Sequence, residues 1–278
     1  MSTTPEDELR LGKLVIRTPQ TTHKRISMLL WGQAGCGKTT LAATAPGKKL
    51  WINFDPDGTD SLTHHKDILV ADFSGLDVTT VDAFKSDNPY DLARFIDNNN
   101  VDTVVVDSLS AFADAALRFA VSQCKNSTIE RPGLQAYGMR NSYVYEMVCT
   151  ILRITRKKDK HAIFIAHEAS PDKNDDGIVV LIAIALGGQL TNMVPRQLSE
   201  VWSLEDTGKE RRIAIRPCRS RRPMKSRIFD SSESPEFVWR YNPETGKGEG
   251  IAQWFNQWVE SGCEKIPLPQ QKQITKPK

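Results

Sequence analysis

The feature that most constrains this chain is an eight-residue stretch, Gly32-Gln33-Ala34-Gly35-Cys36-Gly37-Lys38-Thr39. It satisfies G-x-x-x-x-G-K-[ST] at every required position. It directly follows an apolar run, Ile26–Trp31, and precedes a segment of helix formers that ends near Pro46. Strand, glycine turn and helix in that order have a physical use. The glycines let the backbone curl until several N–H groups face one anion. The N-terminus of the following helix adds partial positive charge at the same point. Lys38 then reaches the terminal phosphates of a nucleotide, and the Thr39 hydroxyl is a ligand for Mg²⁺. The expected phosphate contacts are Gly32, Gln33, Ala34, Gly35, Cys36, Gly37, Lys38, Thr39 and the next residue, Thr40.

The rest of the chain alternates between strand and helix patterns. Lys49–Phe54 and Ile68–Phe73 read as strands, and Thr103–Val106 is a continuous valine-rich run of the kind buried in parallel sheets. Val78–Asp97 reads as helical with a break near Asn88-Pro89; Leu109–Cys124 and Leu134–Lys158 read as longer helices; Ala162–Ala166 is a further core strand. Such alternation predicts an α/β fold, a mostly parallel sheet with helices on both faces. Beyond Glu168 the pattern changes. Ser170–Gly177 is a polar loop, Val201–Leu204 and Arg212–Ile215 form an antiparallel pair, and Ile251–Val259 is a short amphipathic helix carrying Trp254, Phe255 and Trp258, expected to dock on the core. The expected organisation is an N-terminal arm at 1–24 with a possible strand at Lys13–Arg17, a core at 25–230, a C-terminal extension at 231–264 and a disordered tail at 265–278.

At 278 residues the chain has room for one large α/β domain with tails. Five scattered cysteines make neither a disulfide framework nor a zinc site and point to a reducing cytoplasm. The N-terminus lacks the pattern of a signal peptide, and the longest apolar run, Ile178–Leu186, falls well short of the roughly 20 residues of a membrane span, so no membrane role is expected. A net charge of +3 is too mild to identify a partner. Between 209 and 227, however, stand Lys209, Arg211, Arg212, Arg216, Arg219, Arg221, Arg222, Lys225 and Arg227, opposed within that segment only by Glu210. That density predicts an electropositive surface for phosphate.

A phosphate site of this kind needs a second half, an acid ending a core strand. Asp107, after Val104-Val105-Val106, fills the position and would hold Mg²⁺ through water, with Ser108 the better N-cap of the following helix. ATP is favoured over GTP because an N-K-x-D guanine signature is missing. The motifs so far resemble those of RecA-type ATPases, and that resemblance implies a catalytic carboxylate after the second strand, in Asp55-Pro56-Asp57-Gly58. Asp57 is preferred by position and Asp55 comes second; the same four residues also make good turn chemistry. His167 follows the Ile163–Ala166 strand, where the same resemblance implies a polar γ-phosphate sensor; a structural histidine is the alternative.

These motifs, in this order, resemble RecA-type ATPases, in which Ser follows the strand-end Asp as in Val106-Asp107-Ser108; an AAA-type ATPase would place Glu there. Over about residues 25–230, with Leu134-Gln135-Ala136-Tyr137-Gly138 and Ala166-His167-Glu168 added, the closest resemblance is to the compact phage RecA-like ATPases linked to single-strand annealing. The resemblance implies single-stranded DNA as a partner, a homo-oligomeric ring or filament, and a possible single-strand-binding protein. It also implies that Lys225 and Arg227, a Lys-x-Arg pair, reach a neighbouring subunit's ATP. Asp in place of the family's more usual Glu puts the hydrolysis rate in question. Lys125–Gly138, with Tyr137, and Ser170–Asn192 are the candidate DNA loops; for Tyr137 a buried position is the stronger expectation. A helicase or helicase-loader motor and a slow nucleotide-dependent assembly switch are the rival functions.

Overall fold

The computed structural model describes residues 10–15, 24–56, 58–73 and 89–269. Its centre is an eight-stranded sheet. In chain order the strands are β1 (Ser27–Gly32), β2 (Lys49–Asn53), β3 (Ile68–Asp72), β4 (Thr103–Asp107), β5 (His161–His167), β6 (Glu200–Asp206), β7 (Arg211–Ala214) and β8 (Glu236–Trp239). Across the sheet the order is β8-β7-β6-β1-β5-β4-β2-β3. The six strands from β6 to β3 are parallel, and β7 and β8 extend the sheet antiparallel beyond β6.

Helices cover both faces: α1 (Lys38–Ala43), α2 (Pro89–Asn98), α3 (Leu109–Gln123), α4 (Gly133–Lys157), α5 (Leu190–Arg196) and α6 (Ile251–Glu260). The strand alternation divides the apolar residues between two cores. Leu29, Trp31, Val104 and Val106 join α3 and α4 on one face. Met28, Leu30, Val105 and Ile163 meet α1 and α6 on the other. Burial of both side-chain sets explains why these strands read as unbroken apolar runs; each such side chain contributes about 1.5–3 kcal/mol.

The stripe on α6 docks as the sequence indicates. Trp254, Phe255 and Trp258 are buried, with Trp254 against Trp202, Phe229 and Phe237. Several boundaries differ from the sequence reading. Ser170–Gly177 is not wholly loop, because Asp172–Lys173 pairs with Val179–Leu181 in a small antiparallel ribbon. Only part of Ile178–Leu186 is therefore extended. Near the N-terminus, Leu14–Val15 pairs with Arg10–Leu11, and the rest of the expected Lys13–Arg17 strand beyond Val15 lies outside the described residues. The same holds for residues 1–9, the helical expectation over 78–88, and most of the expected tail, from 270 on. Among the described residues, no helix is long and apolar enough to cross a membrane.

Candidate nucleotide site

Parallel strands end together, so the loops that follow β1, β2, β4 and β5 meet at one edge of the sheet. β1 runs into the Gly32–Thr39 loop, and the loop feeds α1 at Lys38. Gly35 and Gly37 have φ of 77° and 97°, the left-handed region that favours glycine. Gly32 is needed for space, since a Cβ there would lie 2.2 Å from the Leu204 carbonyl oxygen on β6. Lys38 is buried and its Nζ donates to the carbonyls of Gly32 (3.0 Å) and Gln33 (2.6 Å), which fixes the ammonium over the loop.

The two residues expected to hold the metal are in contact. Thr39 Oγ1 donates to Asp107 Oδ2 at 2.9 Å. Asp107 is buried, and desolvation, reinforced by the nearby Asp55 charge, raises its carboxyl to about 6 against the pull of Thr39. A hydroxyl and a buried carboxylate are the hard oxygen donors that Mg²⁺ takes. The residues present therefore fit that ion.

Asp55 belongs to the same cluster. Its Oδ1 accepts from Ser108 Oγ (3.1 Å), and its Oδ2 lies 3.3 Å from His167 Nε2. Ser108 also caps α3, accepting from Ala111 N at 3.2 Å. His167 is held from behind by Ser110 Oγ, which accepts from its backbone N–H at 2.9 Å. Asn53, at the end of β2, donates to the Asp55 carbonyl (2.9 Å) and to Asp72 Oδ1 (3.0 Å), bracing the turn. Of the two carboxylates in this turn, Asp55 reaches the cluster, while Asp57 lies outside the described residues. Ser108 and Ser110 are the partners that sequence reasoning missed. Their signal is proximity to Asp107, which the helix-cap reading of Ser108 already accounts for.

Glu168 is a second omission. Its side chain is 4% exposed and accepts from the loop residue Gln33 (3.3 Å) and from Arg221 Nε (3.3 Å). Arg221 Nη1 also lies 3.4 Å from Glu205 on β6. This pairing is part of a wider correction to the basic segment. Arg211 pairs with Asp206, Arg212 with Glu210 and Glu236, Arg219 with Glu205 and Glu236, and Arg227 with Glu200. Apart from Glu210, the opposing acids come from β6, β8 and the residue that follows β5, so the segment's own composition hid them. Lys209, Arg216, Arg222 and Lys225 remain exposed without an ion pair among the described residues.

The expected Lys225–Arg227 pair is divided. Lys225 is exposed and bonds through its backbone to Val201 on β6 in both directions at 2.9 Å. Val201 pairs with Leu29, three residues before Gly32, so Lys225 lies about 10 Å along the strand direction from the phosphate loop of its own chain. Arg227 is committed inward, which corrects the two-cation finger. Its guanidinium stacks over Trp258 at 4.6 Å, donates to the Arg25 carbonyl and lies 3.8 Å from the buried Glu200. Tyr137 also departs from expectation, because it is 41% exposed with Arg140 over its ring at 5.4 Å.

No curated protein matches the chain. One solved structure similar to it is the KaiC-like protein PH0186 from the hyperthermophilic archaeon Pyrococcus horikoshii OT3, at 16% identity and a TM-score of 0.42, over 78% of this chain and 86% of that one. A family model, AAA_24, described as an AAA domain, matches residues 24–238, which include the phosphate loop and all of the sheet except Trp239, the last residue of β8. With that match over most of its length, the chain belongs to this AAA domain family of P-loop proteins.

Proposed function

We propose that this protein is a Mg²⁺-dependent ATPase with a RecA-like core that acts on single-stranded DNA, in recombination or strand annealing of the phage type. The observation that carries the ATPase reading is the cluster of Lys38, Thr39, Asp107, Asp55, Ser108 and His167 at adjoining strand ends. Thr39 and Asp107 would hold Mg²⁺, which would supply charge neutralisation for the phosphates when bound. Lys38 and the loop amides bind and orient the phosphates. Asp55 accepts the proton of the water whose oxygen attacks the γ-phosphorus, as ADP leaves with the electron pair of the broken P–O bond. Ser108 and His167 hold the two oxygens of that carboxylate in place. Lys225, exposed and about 10 Å along the strand direction from its own loop, is available to a neighbouring subunit in a ring or filament.

The DNA reading rests on the loops beyond α3 and β5. The loop beyond β5 meets α4 where a Cβ on Gly187 would lie 3.1 Å from Arg140 Nη2. On these loops and the first turns of α4, Ile129, Leu134, Tyr137, Ile178 and Val180 are exposed, with Arg140 over the Tyr137 ring. Exposed aromatic and apolar side chains beside a cation are what base stacking on a single strand uses.

The test is ATP turnover with and without single-stranded DNA, in the wild type, Lys38→Ala and Asp55→Asn. The expected result is DNA-stimulated turnover, abolished in the Lys38 variant and about 100-fold slower in the Asp55 variant. Tight ATP binding without turnover and without a DNA effect would replace this reading with that of a nucleotide-dependent assembly switch.

A further inference from the structure

The phosphate loop accounts for only one end of a nucleotide. Beside it lies an open cavity of about 700 Å³, within the range of small-ligand sites, lined by Lys209, Arg211, Trp239, Tyr241 and Lys247 among others. Two observations join this cavity to the loop. A Cβ on Gly37, at the N-terminus of α1, would meet Arg211 Nη1 and Trp239 Cζ3 at 3.3 Å each, so both side chains rest directly on the turn that takes the phosphates. At the other end of α1, Thr44 is tied to the C-terminal extension. Thr44 Oγ1 accepts from Ile251 N (2.9 Å) and its carbonyl from Ala252 N (3.0 Å). The segment from β8 to α6 therefore runs alongside α1 from one end to the other, and the cavity opens at the phosphate end.

The lining suits a planar base with a polyphosphate attached. Trp239 is buried, with its Nε1 donating to the Glu249 carbonyl at 2.9 Å, and so forms a fixed wall. The Tyr241 ring lies parallel to it, with centroids 5.8 Å apart and planes 9° apart, and is partly exposed. Gly37, Trp239 and Tyr241 thus form a line leading away from the phosphate loop. The hairpin that carries Tyr241 closes only because Gly248 lacks a side chain; a Cβ there would lie 2.4 Å from the Arg240 carbonyl oxygen. The Arg211 guanidinium, braced by Asp206 at 3.3 Å, shares the Gly37 contact with Trp239 at the start of α1.

We propose that this cavity is the nucleoside subsite for the nucleotide bound by the Gly32–Thr39 loop, with the base stacked on Tyr241 and Arg211 at the phosphate end. The assignment rests on the nucleotide-binding reading given above. It makes β8 and the 241–248 hairpin, at the far edge of the sheet, part of nucleotide recognition.

Calorimetric titration separates the two claims, using Mg·ATP and Mg·ribose 5-triphosphate as probes. The second carries the same phosphates and no base. The wild type is expected to bind ATP at least about tenfold more tightly than the abasic compound. Tyr241→Ala removes most of that difference by weakening ATP alone, and Tyr241→Phe retains it. Equal affinity of the wild type for both probes overturns the subsite and leaves the phosphate loop intact as a binding element. An unchanged preference for ATP in a folded Tyr241→Ala protein also overturns it. Binding of neither probe would instead refute the underlying nucleotide reading. Because the wild-type comparison needs no variant, it decides the question even where Tyr241→Ala does not fold.

Discussion

Glu200 offers a sharp test of how the basic segment is used. It is fully buried at the start of β6 and accepts from Ser226 Oγ (2.6 Å), Trp202 Nε1 (3.0 Å) and Arg227 N (3.0 Å). Burial raises its carboxyl from the usual 4.5 to about 7, outweighing those hydrogen bonds and the Arg227 charge. The folded state therefore binds a proton that the unfolded chain releases. Its contribution is complete below about pH 4.5 and is lost as pH rises through 7. A tenfold difference in proton affinity between the two states is worth about 1.4 kcal/mol, so the loss across that interval comes to about 3 kcal/mol. Glu200→Gln keeps an acceptor for Trp202 and the Arg227 amide but cannot ionise. Urea denaturation of both proteins at intervals from about pH 4.5 to 8.5 should show the variant gaining on the wild type by about 3 kcal/mol across that window. A stability difference independent of pH would refute the assignment of a desolvated, ionising carboxylate to this site.

Three further outcomes follow from the geometry. His161, buried with its Nδ1 accepting from Ile26 N at 3.0 Å, is pushed by desolvation down to about 4; relative to His161→Gln, the wild type should lose about 3 kcal/mol as pH falls from about 6.5 to 4, read by the same denaturation series. Gly32→Ala places a methyl 2.2 Å from a β6 carbonyl oxygen, whereas Gly35→Ala meets no atom within 4 Å and suffers only from its positive φ. Calorimetric unfolding should show a cost of about 3 kcal/mol or more for the first and about 1 kcal/mol for the second. Arg227→Met should lower unfolding free energy by about 1–2 kcal/mol, while Lys225→Ala leaves it within about 0.5 kcal/mol and lowers turnover only in assembled protein.

What was legible in the sequence was what local chemistry dictates. The glycine loop is a contiguous motif whose backbone geometry admits few residues, and the valine run ending in Asp107 reports burial directly because both faces of β4 are covered. The meeting of Thr39 with Asp107 followed from the strand–loop–helix logic alone. The rest depended on tertiary partners that no window of sequence contains. Arg219 and Arg221 looked like free cations because Glu205, Glu236 and Glu168 stand on other elements. Arg227 looked like a reaching finger because its ring partner, Trp258, lies 31 positions away on α6. Tyr137 looked buried as an aromatic side chain, but α4 turns it outward and buries its neighbour Ala136 instead.

The same physics explains why the corrected charges matter to function. A run of nine cations left in solvent would bind polyanions without regard to shape. Pairing Arg212, Arg219 and Arg221 with acids on other elements lowers that non-specific attraction and uses the cations to join β7 and β8 to the parallel sheet. Arg221 extends the join to Glu168, and Glu168 in turn holds Gln33 inside the phosphate loop. The antiparallel edge that carries Trp239 and the neighbouring Tyr241 is thereby tied to the loop through charge as well as through α1. Gln33, Glu168, Arg221 and Glu205 thus form one chain of contacts from the phosphate loop to β6.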